Sequence, residues 1–150
     1  MIMNYFNPGY HVYQSDICQK VVGEVRETPE GISAGTALAS YYFTYTFKWG
    51  TLSFDDIKYY INSGKPVQVD IQWKSNHSMV IYGYCEYQYV EKGQVFGSIL
   101  VVDPGSGTTT SYSYPYFCDN SNFYWRITRY NISGGPQIVF RSIAAYKCRV

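Results

Sequence analysis

The segment from Asn62 to Tyr84 reads N-S-G-K-P-V-Q-V-D-I-Q-W-K-S-N-H-S-M-V-I-Y-G-Y, and S-I-L-V-V-D-P follows at residues 98–104. Val67 to Trp73 alternates apolar and polar residues, which is typical of a strand with one face on the core. We expect its other face to be wet or to line a cleft. Ser78 to Tyr84 and Ser98 to Asp103 are more continuously apolar, which predicts central strands covered on both sides. The segment therefore predicts neighbouring strands of one sheet.

A histidine and an aspartate mark the ends of these strands. His77 precedes the second strand, and Asp103 ends the third, directly before Pro104. A proline keeps the preceding residue extended and cannot continue a ladder, so the carboxylate should lie at the strand's mouth. An isolated histidine is more often a core residue, and an isolated aspartate equally often caps a turn. Their order and placement beside loops instead predict an imidazole that acts as an oriented base.

The hairpin between these strands must be irregular if the two residues are to meet. Opposite pairing of His77 and Asp103 requires a hairpin centred on residue 90, the mean of their numbers. The best turn signal, Glu91 to Gln94, is centred between residues 92 and 93. The segment from Cys85 to Glu91 is therefore predicted to contain about five extra residues, as a bulge or a loop.

Three motifs in a fixed order resemble a known family. G-K-P-V at 64–67, H-S-M-V-I-Y-G-Y at 77–84 and V-V-D-P at 101–104 resemble the C-terminal half of papain-like cysteine peptidases. The similarity is strongest to the bacterial branch related to double-glycine (bacteriocin-leader) peptidases and secreted effector peptidases. It implies an α+β, papain-like fold with N-terminal helices packed on a mostly antiparallel sheet. It also implies that His77 is the catalytic imidazole and that Asp103 orients it.

The first residues resemble the end of a helix whose beginning is missing. Met1 to Phe6 is apolar and aromatic, has no N-cap and is followed at once by Asn7-Pro8-Gly9. In the resembling family, the nucleophilic cysteine lies near the start of the first helix. The resemblance therefore implies a truncated first helix that begins after the cysteine and after the glutamine of the oxyanion hole. We expect the chain as given to lack its nucleophile and to be inactive alone.

The resemblance implies thiol-dependent hydrolysis of peptide bonds. A thiolate would attack the peptide carbonyl, protonated His77 would protonate the leaving amine, and Asp103 would hold the ring. Peptides or proteins are the expected substrates, and we expect no metal or cofactor. Two alternatives stay open: a catalytically inactive relative that binds or inhibits, and a transglutaminase-like or amidase-like acyl transferase.

The cysteines lie far apart and form no C-x-x-C pair, which disfavours a zinc or thioredoxin-type site. Two disulfides and four buried free thiols are both open. Ser15 is predicted to cap a helix with Cys18 in its first turn, where thiol pKa values are lowered. The resemblance nevertheless implies a structural role for Cys18. The four cysteines are Cys18, Cys85, Cys118 and Cys148.

Length and composition indicate one domain of 150 residues, mainly helical over 1–63 and mainly sheet over 64–150. The net charge of +1 is spread along the chain, so neither nucleic acid nor an anionic membrane is an expected partner. No apolar run approaches a membrane span. Aromatic residues make up 19% and charged residues 15%, which suits a β-rich protein outside the cytoplasm. We expect a bacterial protein that is secreted or located in the cell envelope, of open oligomeric state.

The remaining elements are predicted from local signals. Ser53 caps a helix that runs to Asn62 and stops at Gly64, while Gly31 to Phe43 allows a helix or a strand. A short strand follows the turn after Pro104. We predict further strands or extended segments at 45–50, 124–130 and 137–146, a loop at 117–122 and a turn at 131–136.

Overall fold

The computed structural model describes residues 13–24, 33–72, 74–91, 94–135 and 146–147. Within these ranges, none of the helices is long and apolar enough to serve as a membrane span. The predicted α+β class is confirmed. The described elements are α1 (Gln14–Val22), α2 (Ala34–Ser40), β1 (Phe43–Trp49), α3 (Phe54–Asn62), β2 (Val67–Gln72), β3 (Asn76–Glu91), β4 (Gln94–Val102), β5 (Thr109–Ser113), α4 (Tyr114–Cys118), β6 (Tyr124–Gly134) and β7 (Tyr146–Lys147).

The strands form a single mixed sheet in which nearly every pair is antiparallel. Its order is β1-β6-β2-β3-β4-β5, and β7 pairs in parallel with β3. The three strands predicted from the central segment are therefore neighbours in the middle of the sheet. This order brings the start of β3 close to the end of β4, which is where His77 and Asp103 lie.

Each face of the sheet packs on its own set of helices. On the first face, which we call the α3 face, the alternate residues of β2 to β4 form a core with Ile57 and Ile61 of α3 and Phe117 of α4, all fully buried. On the second, the α2 face, a smaller cluster joins Leu38 of α2 to Val80 of β3. Burial of these side chains is the main stabilising term for such a sheet.

Most of the polar side of β2 is turned away from solvent at Gln68 and Asp70, which corrects the expectation that this side would be wet or line a cleft; Gln72, at its end, is half-buried. Gln68 is 2% exposed and Arg129 of β6 is 6% exposed. Arg129 Nη1 donates to Asp70 Oδ2 at 2.7 Å and to Gln68 Oε1 at 2.6 Å, and Ser78 Oγ donates to Asp70 Oδ1. Helix α2 lies close above, because a Cβ on Gly35 would be 3.2 Å from Arg129 Nε. A buried charge is tolerated when it is paired in this way.

Several predicted elements are confirmed by the structure. Ser53 caps α3, since its hydroxyl accepts a hydrogen bond from the Asp56 N–H at 3.1 Å. The ambiguous segment 31–43 contains helix α2, which Ser33 caps in the same way. Extended structure at 45–50 and 124–130 corresponds to β1 and to the first part of β6, and β5 is the short strand expected after Pro104.

Three local predictions are wrong, the first two because a longer-range contact decides the conformation and the third because Asp16 caps the Tyr13 N–H. The predicted loop at 117–122 begins inside α4, whose Phe117 is buried in the core. The predicted turn at 131–136 is strand as far as Gly134, because β6 continues to pair with Phe43 of β1. Helix α1 starts after Tyr13, and not after Ser15, so Cys18 is its fifth residue and lies beyond the first turn.

Two predictions fall largely outside the described residues. The first is the helix end at 1–6. The second is the extended segment at 137–146, of which only Tyr146 is described, in β7.

The β3–β4 hairpin is irregular as predicted, but β3 contains two extra residues in the predicted segment and one outside it, fewer than the five expected. From Cys85 to Tyr89, β3 advances four residues while β4 advances two; from Ile81 to Gly83, β3 advances two while β4 advances one. The first shift lies in the predicted segment 85–91 and the second lies closer to the site. Glu91 pairs with Gln94, the first residue of β4, and residues 92–93, the centre of the predicted turn, lie outside the described residues.

The Ser53 cap gives a stability test of helix α3. Replacing Ser53 with Ala leaves the Asp56 N–H without its acceptor and should lower the free energy of unfolding by about 1 kcal/mol in urea titrations. Ser53→Asn, which retains an acceptor oxygen, is the control and should stay within a few tenths of a kcal/mol of wild type. Equal losses in the two variants would show that the hydroxyl does not act as the cap.

Candidate active site

His77 and Asp103 are in direct contact at the rim of the sheet. The distance from His77 Nε2 to Asp103 Oδ1 is 2.8 Å, which is a hydrogen bond between the two side chains. The side chains are 30% and 28% exposed, so the pair is neither enclosed in the core nor fully solvated. The structure thus brings together the two residues that the sequence singles out as catalytic.

The ends of two strands place this pair. His77 is the second residue of β3, where it pairs with Ile71 and therefore points to the α3 face. The β3–β4 ladder ends at Val102, whose partner is Val80, and Asp103 is the first residue beyond it. Continued pairing would set Asp103 opposite Met79. Its side chain instead reaches His77, two residues further along the same face.

A tight turn fixes the carboxylate of Asp103. The N–H of Asp103 donates to Thr108 O at 2.9 Å, and its carbonyl accepts from the Gly107 N–H at 2.8 Å. The Gly105 N–H donates to Oδ1 at 2.7 Å, on the same oxygen that faces His77. A Cβ on Gly105 would lie 3.2 Å from that oxygen and 3.4 Å from His77 Cε1, so glycine lets the backbone approach the pair closely.

These contacts keep Asp103 ionised. Partial burial alone would raise the pKa of the carboxyl, but the N–H groups of Gly105 and Ser106 and the imidazole of His77 together lower the pKa below its ordinary value. The carboxylate is therefore available as a hydrogen-bond acceptor over the whole range in which an imidazole titrates.

The contact also decides which nitrogen of His77 can act as a base. Because Asp103 accepts from Nε2–H, the neutral ring carries its proton on Nε2 and its lone pair on Nδ1. Among the described residues, none forms a hydrogen bond with Nδ1. An imidazole held by a carboxylate through one nitrogen, with the other nitrogen open, can take a proton from a nucleophile.

A small pocket opens beside the pair. It has a volume of about 50 Å³, and Asp103 lines it on one side. Two threonine hydroxyls and a tyrosine make it partly polar. Its other lining residues are Met79, Val101, Thr108, Thr110 and Tyr112.

None of the described cysteines is arranged as a nucleophile for His77. Burial raises the pKa of the Cys118 thiol, which opposes formation of a thiolate. Cys85 is disulfide-bonded. Cys18 is a free thiol, but its neighbour Ile17 packs α1 against the α2 face, whereas His77 points to the α3 face.

The cysteines match neither of the two open patterns, two disulfides or four free thiols. Cys85 is bonded, Cys18 and Cys118 are free, and Cys148 lies outside the described residues. Within the described part of the chain, no group of three or more His, Cys, Asp or Glu side chains could hold a metal ion.

A side chain near this site that the sequence did not single out is Arg126. Its Nη1 donates to Asn76 Oδ1 at 3.2 Å, and Asn76 directly precedes His77. Arg126 is the extra residue of a bulge, because Asp70 of β2 pairs with Ile127 while the next residue pairs with Trp125. The arginine is visible in the sequence, but the bulge that aims it is not.

The fold and the pair together define the class of protein. An imidazole oriented by a carboxylate, at the rim of an antiparallel sheet flanked by helices, is an arrangement of the papain-like cysteine peptidases, as the sequence resemblance implies. The chain matches the model of the Peptidase_C39-like family over residues 1–133 and belongs to that family. This confirms the predicted relationship to the papain-like cysteine peptidase superfamily. No curated protein and no solved structure gives a significant match to the chain.

The tautomer of His77 can be measured directly. In long-range ¹H–¹⁵N NMR spectra at a pH where the ring is neutral, we expect the protonated nitrogen of His77 to be Nε2. Comparison with His77→Ala assigns its signals against those of His11. Asp103→Ala should reduce the Nε2–H population, because the acceptor is lost. A predominant Nδ1–H tautomer in the wild-type protein would contradict the hydrogen bond.

The lowered pKa of Asp103 predicts a pH-dependent contribution to stability. The folded-state pKa is below the unfolded value of about 3.9, so the contribution is present above that value and is lost as the pH falls through the folded-state pKa. The difference in free energy of unfolding between wild type and Asp103→Asn should therefore be largest near neutral pH and shrink in acid. Asp119→Asn, at an exposed carboxyl, is the control. A difference that does not depend on pH would argue against an ionic role for Asp103.

Proposed function

We propose that this protein is a cysteine peptidase that hydrolyses peptide bonds, with His77 as its acid–base residue and Asp103 as its positioning residue. The observation that carries the proposal is the 2.8 Å contact between Nε2 and the carboxylate at an accessible rim, which leaves Nδ1 for proton transfer. Membership of the Peptidase_C39-like family supports a peptide or protein as substrate.

The chemistry follows from the two nitrogens of the ring. Nδ1 takes the proton of a thiol, and the thiolate attacks the carbonyl carbon of the scissile bond. The C–N bond breaks as the protonated Nδ1 returns its proton to the leaving amine, which leaves a thioester on the enzyme. Water then hydrolyses the thioester, with Nδ1 accepting a proton from it. Throughout, the Asp103 carboxylate keeps Nε2 protonated and stabilises the imidazolium.

The thiol in this scheme has to reach Nδ1 from outside the described residues. Cys118 is disfavoured by its raised pKa, Cys85 by its disulfide and Cys18 by its place on the opposite face of the sheet. The proposal therefore assigns the acid–base half of the site to the described residues and leaves the identity of the nucleophile to experiment.

That none of the described thiols reaches Nδ1 favours a second candidate function. A family member in which no thiol reaches Nδ1 would retain the fold and the rim but would bind peptides without cleaving them. This inactive binding or inhibitory module differs from the peptidase because it leaves bound peptides uncleaved, whether or not His77 is replaced.

We also propose that the protein works outside the cytoplasm. The disulfide at Cys85 supports this location, because such bonds form and persist mainly in oxidising compartments.

Hydrolysis of a fluorogenic peptide library by the product of the complete natural coding sequence tests the peptidase function. His77→Ala should lower kcat/KM by about 10²- to 10⁴-fold, the usual contribution of a general acid–base. Asp103→Asn keeps an oxygen that can accept from Nε2–H and should retain more activity than Asp103→Ala. The ordering of these two variants reports on orientation of the ring.

Asp119→Asn serves as the control and should leave kcat/KM unchanged. Cleavage that survives His77→Ala would overturn the assignment of the base. Absence of any cleavage, together with peptide binding that does not depend on His77, would favour the inactive module. Transfer to an added amine in preference to water would indicate an acyl transferase.

A further inference from the structure

A group of exposed and half-buried side chains lies on the α2 face of the sheet, directly beside the start of β3. We call it the Arg126 shelf and define it by Phe47, Trp49, Gln72, Asn76 and Arg126. Trp49 is 63% exposed and Phe47 is 45% exposed, and their rings make an edge-to-face contact with centroids 5.3 Å apart. Large aromatic side chains that remain this exposed often mark a binding surface.

Arg126 is held in the middle of this shelf. Its guanidinium lies 5.6 Å from the centre of the Trp49 ring, and its Nη1 contacts Gln72 Oε1 at 3.3 Å and Asn76 Oδ1 at 3.2 Å. The bulge at Arg126 turns its side chain onto this face, and its carbonyl accepts from the Gly50 N–H at 2.7 Å. Bulges next to active sites commonly re-aim a side chain in this way.

The charge of Arg126 is not neutralised by the residues that hold it. Its two partners are uncharged amide oxygens at long hydrogen-bond distances, and among the described residues no carboxylate lies within ion-pair distance of it. Arg129, three residues along the same strand, shows the contrast, because it is ion-paired to Asp70 and buried. A planar guanidinium supported by an aromatic ring is well suited to a carboxylate ligand.

The shelf includes the residue that directly precedes His77 in the chain. Asn76, which Arg126 contacts, is joined by a peptide bond to His77, although the two side chains point to opposite faces of β3. A peptide that crosses the rim at this point can therefore reach the shelf with one residue and the His77 side of β3 with another.

We propose that the Arg126 shelf binds an acidic side chain of the peptide substrate, with an adjacent apolar or aromatic residue lying against Trp49. The inference rests on the proposed function, since it assigns a substrate preference to the same site. The aromatic rings of the shelf are exposed beside a half-buried Arg126, which suits an acidic residue within a continuing chain better than a terminal carboxylate.

The test is a binding measurement that does not require catalysis. Two short capped peptides that differ only in a Glu or a Gln beside a Tyr are titrated into the protein, with the Trp49 indole and the Arg126 side-chain NMR signals followed. The Glu peptide should bind roughly five- to tenfold more tightly, as expected for a hydrogen-bonded charge pair at a partly exposed site. Its addition should shift both sets of signals.

Four variants separate the shelf from general effects. Arg126→Gln should abolish the preference for Glu, and Trp49→Ala should weaken both peptides. Lys48→Gln removes the same charge from the neighbouring residue of β1, whose side chain points to the other face, and should leave the preference intact. His77→Ala should also leave it intact while removing hydrolysis, so failure of the peptidase proposal and failure of the shelf are distinguishable.

Three outcomes would overturn the inference. One is equal affinity for the Glu and Gln peptides in the wild-type protein. Another is a preference that survives Arg126→Gln or disappears equally in Lys48→Gln. The third is tighter binding of a Gln peptide with a free C-terminal carboxylate than of the capped Glu peptide, which would assign the shelf to chain termini.

Discussion

The hydrogen bond between His77 Nε2 and Asp103 Oδ1 depends on a mismatch in the β3–β4 hairpin. A regular ladder closed at Glu91 would leave Asp103 opposite Tyr82, short of the imidazole, and the register shifts at 81–83 and 85–89 correct most of that error. The rest is corrected because Asp103 leaves the ladder and its side chain reaches further along the rim to His77. Irregular pairing in the sheet is therefore the condition for the contact between His77 and Asp103, and Pro104 and Gly105 serve the same geometry.

The two faces of the sheet support the rim in different ways. The α3 face is apolar, and the fully buried isoleucines of α3 hold β2 to β4 rigidly below His77. The α2 face contains the paired charges of Asp70 and Arg129, with Ser78 linking them to β3 one residue after His77. Contacts on both faces of the sheet therefore hold the first residues of β3 in place. A site held by strand ends on a packed sheet keeps its geometry better than a site on free loops.

The sequence predicted the elements whose signals are local and the pair whose motifs are distinctive. The helix cap at Ser53, the strand β2 with its apolar alternation and the strand end at Asp103-Pro104 were all predicted from such signals. Two of the misses have one physical cause, since pairing with β1 extends β6 as far as Gly134, into the predicted turn, and Phe117 is drawn into the core as part of a helix. Pairing of β2 with β6 also buries Gln68 and Arg129. A bulge in β6 sets the direction of the Arg126 side chain. Such contacts between distant residues are not encoded in a local pattern.

The central claim is that Nδ1 of His77, in a ring that Asp103 orients, takes the proton of a thiol. The most direct measurement is the pH dependence of alkylation of the protein encoded by the complete natural coding sequence, with the modified cysteine identified by mass spectrometry. The account predicts one thiol that reacts well below the ordinary thiol pKa of about 8.5, and loss of that reactivity in His77→Ala. The same profile with and without His77, or no thiol that reacts below the ordinary range, would contradict it.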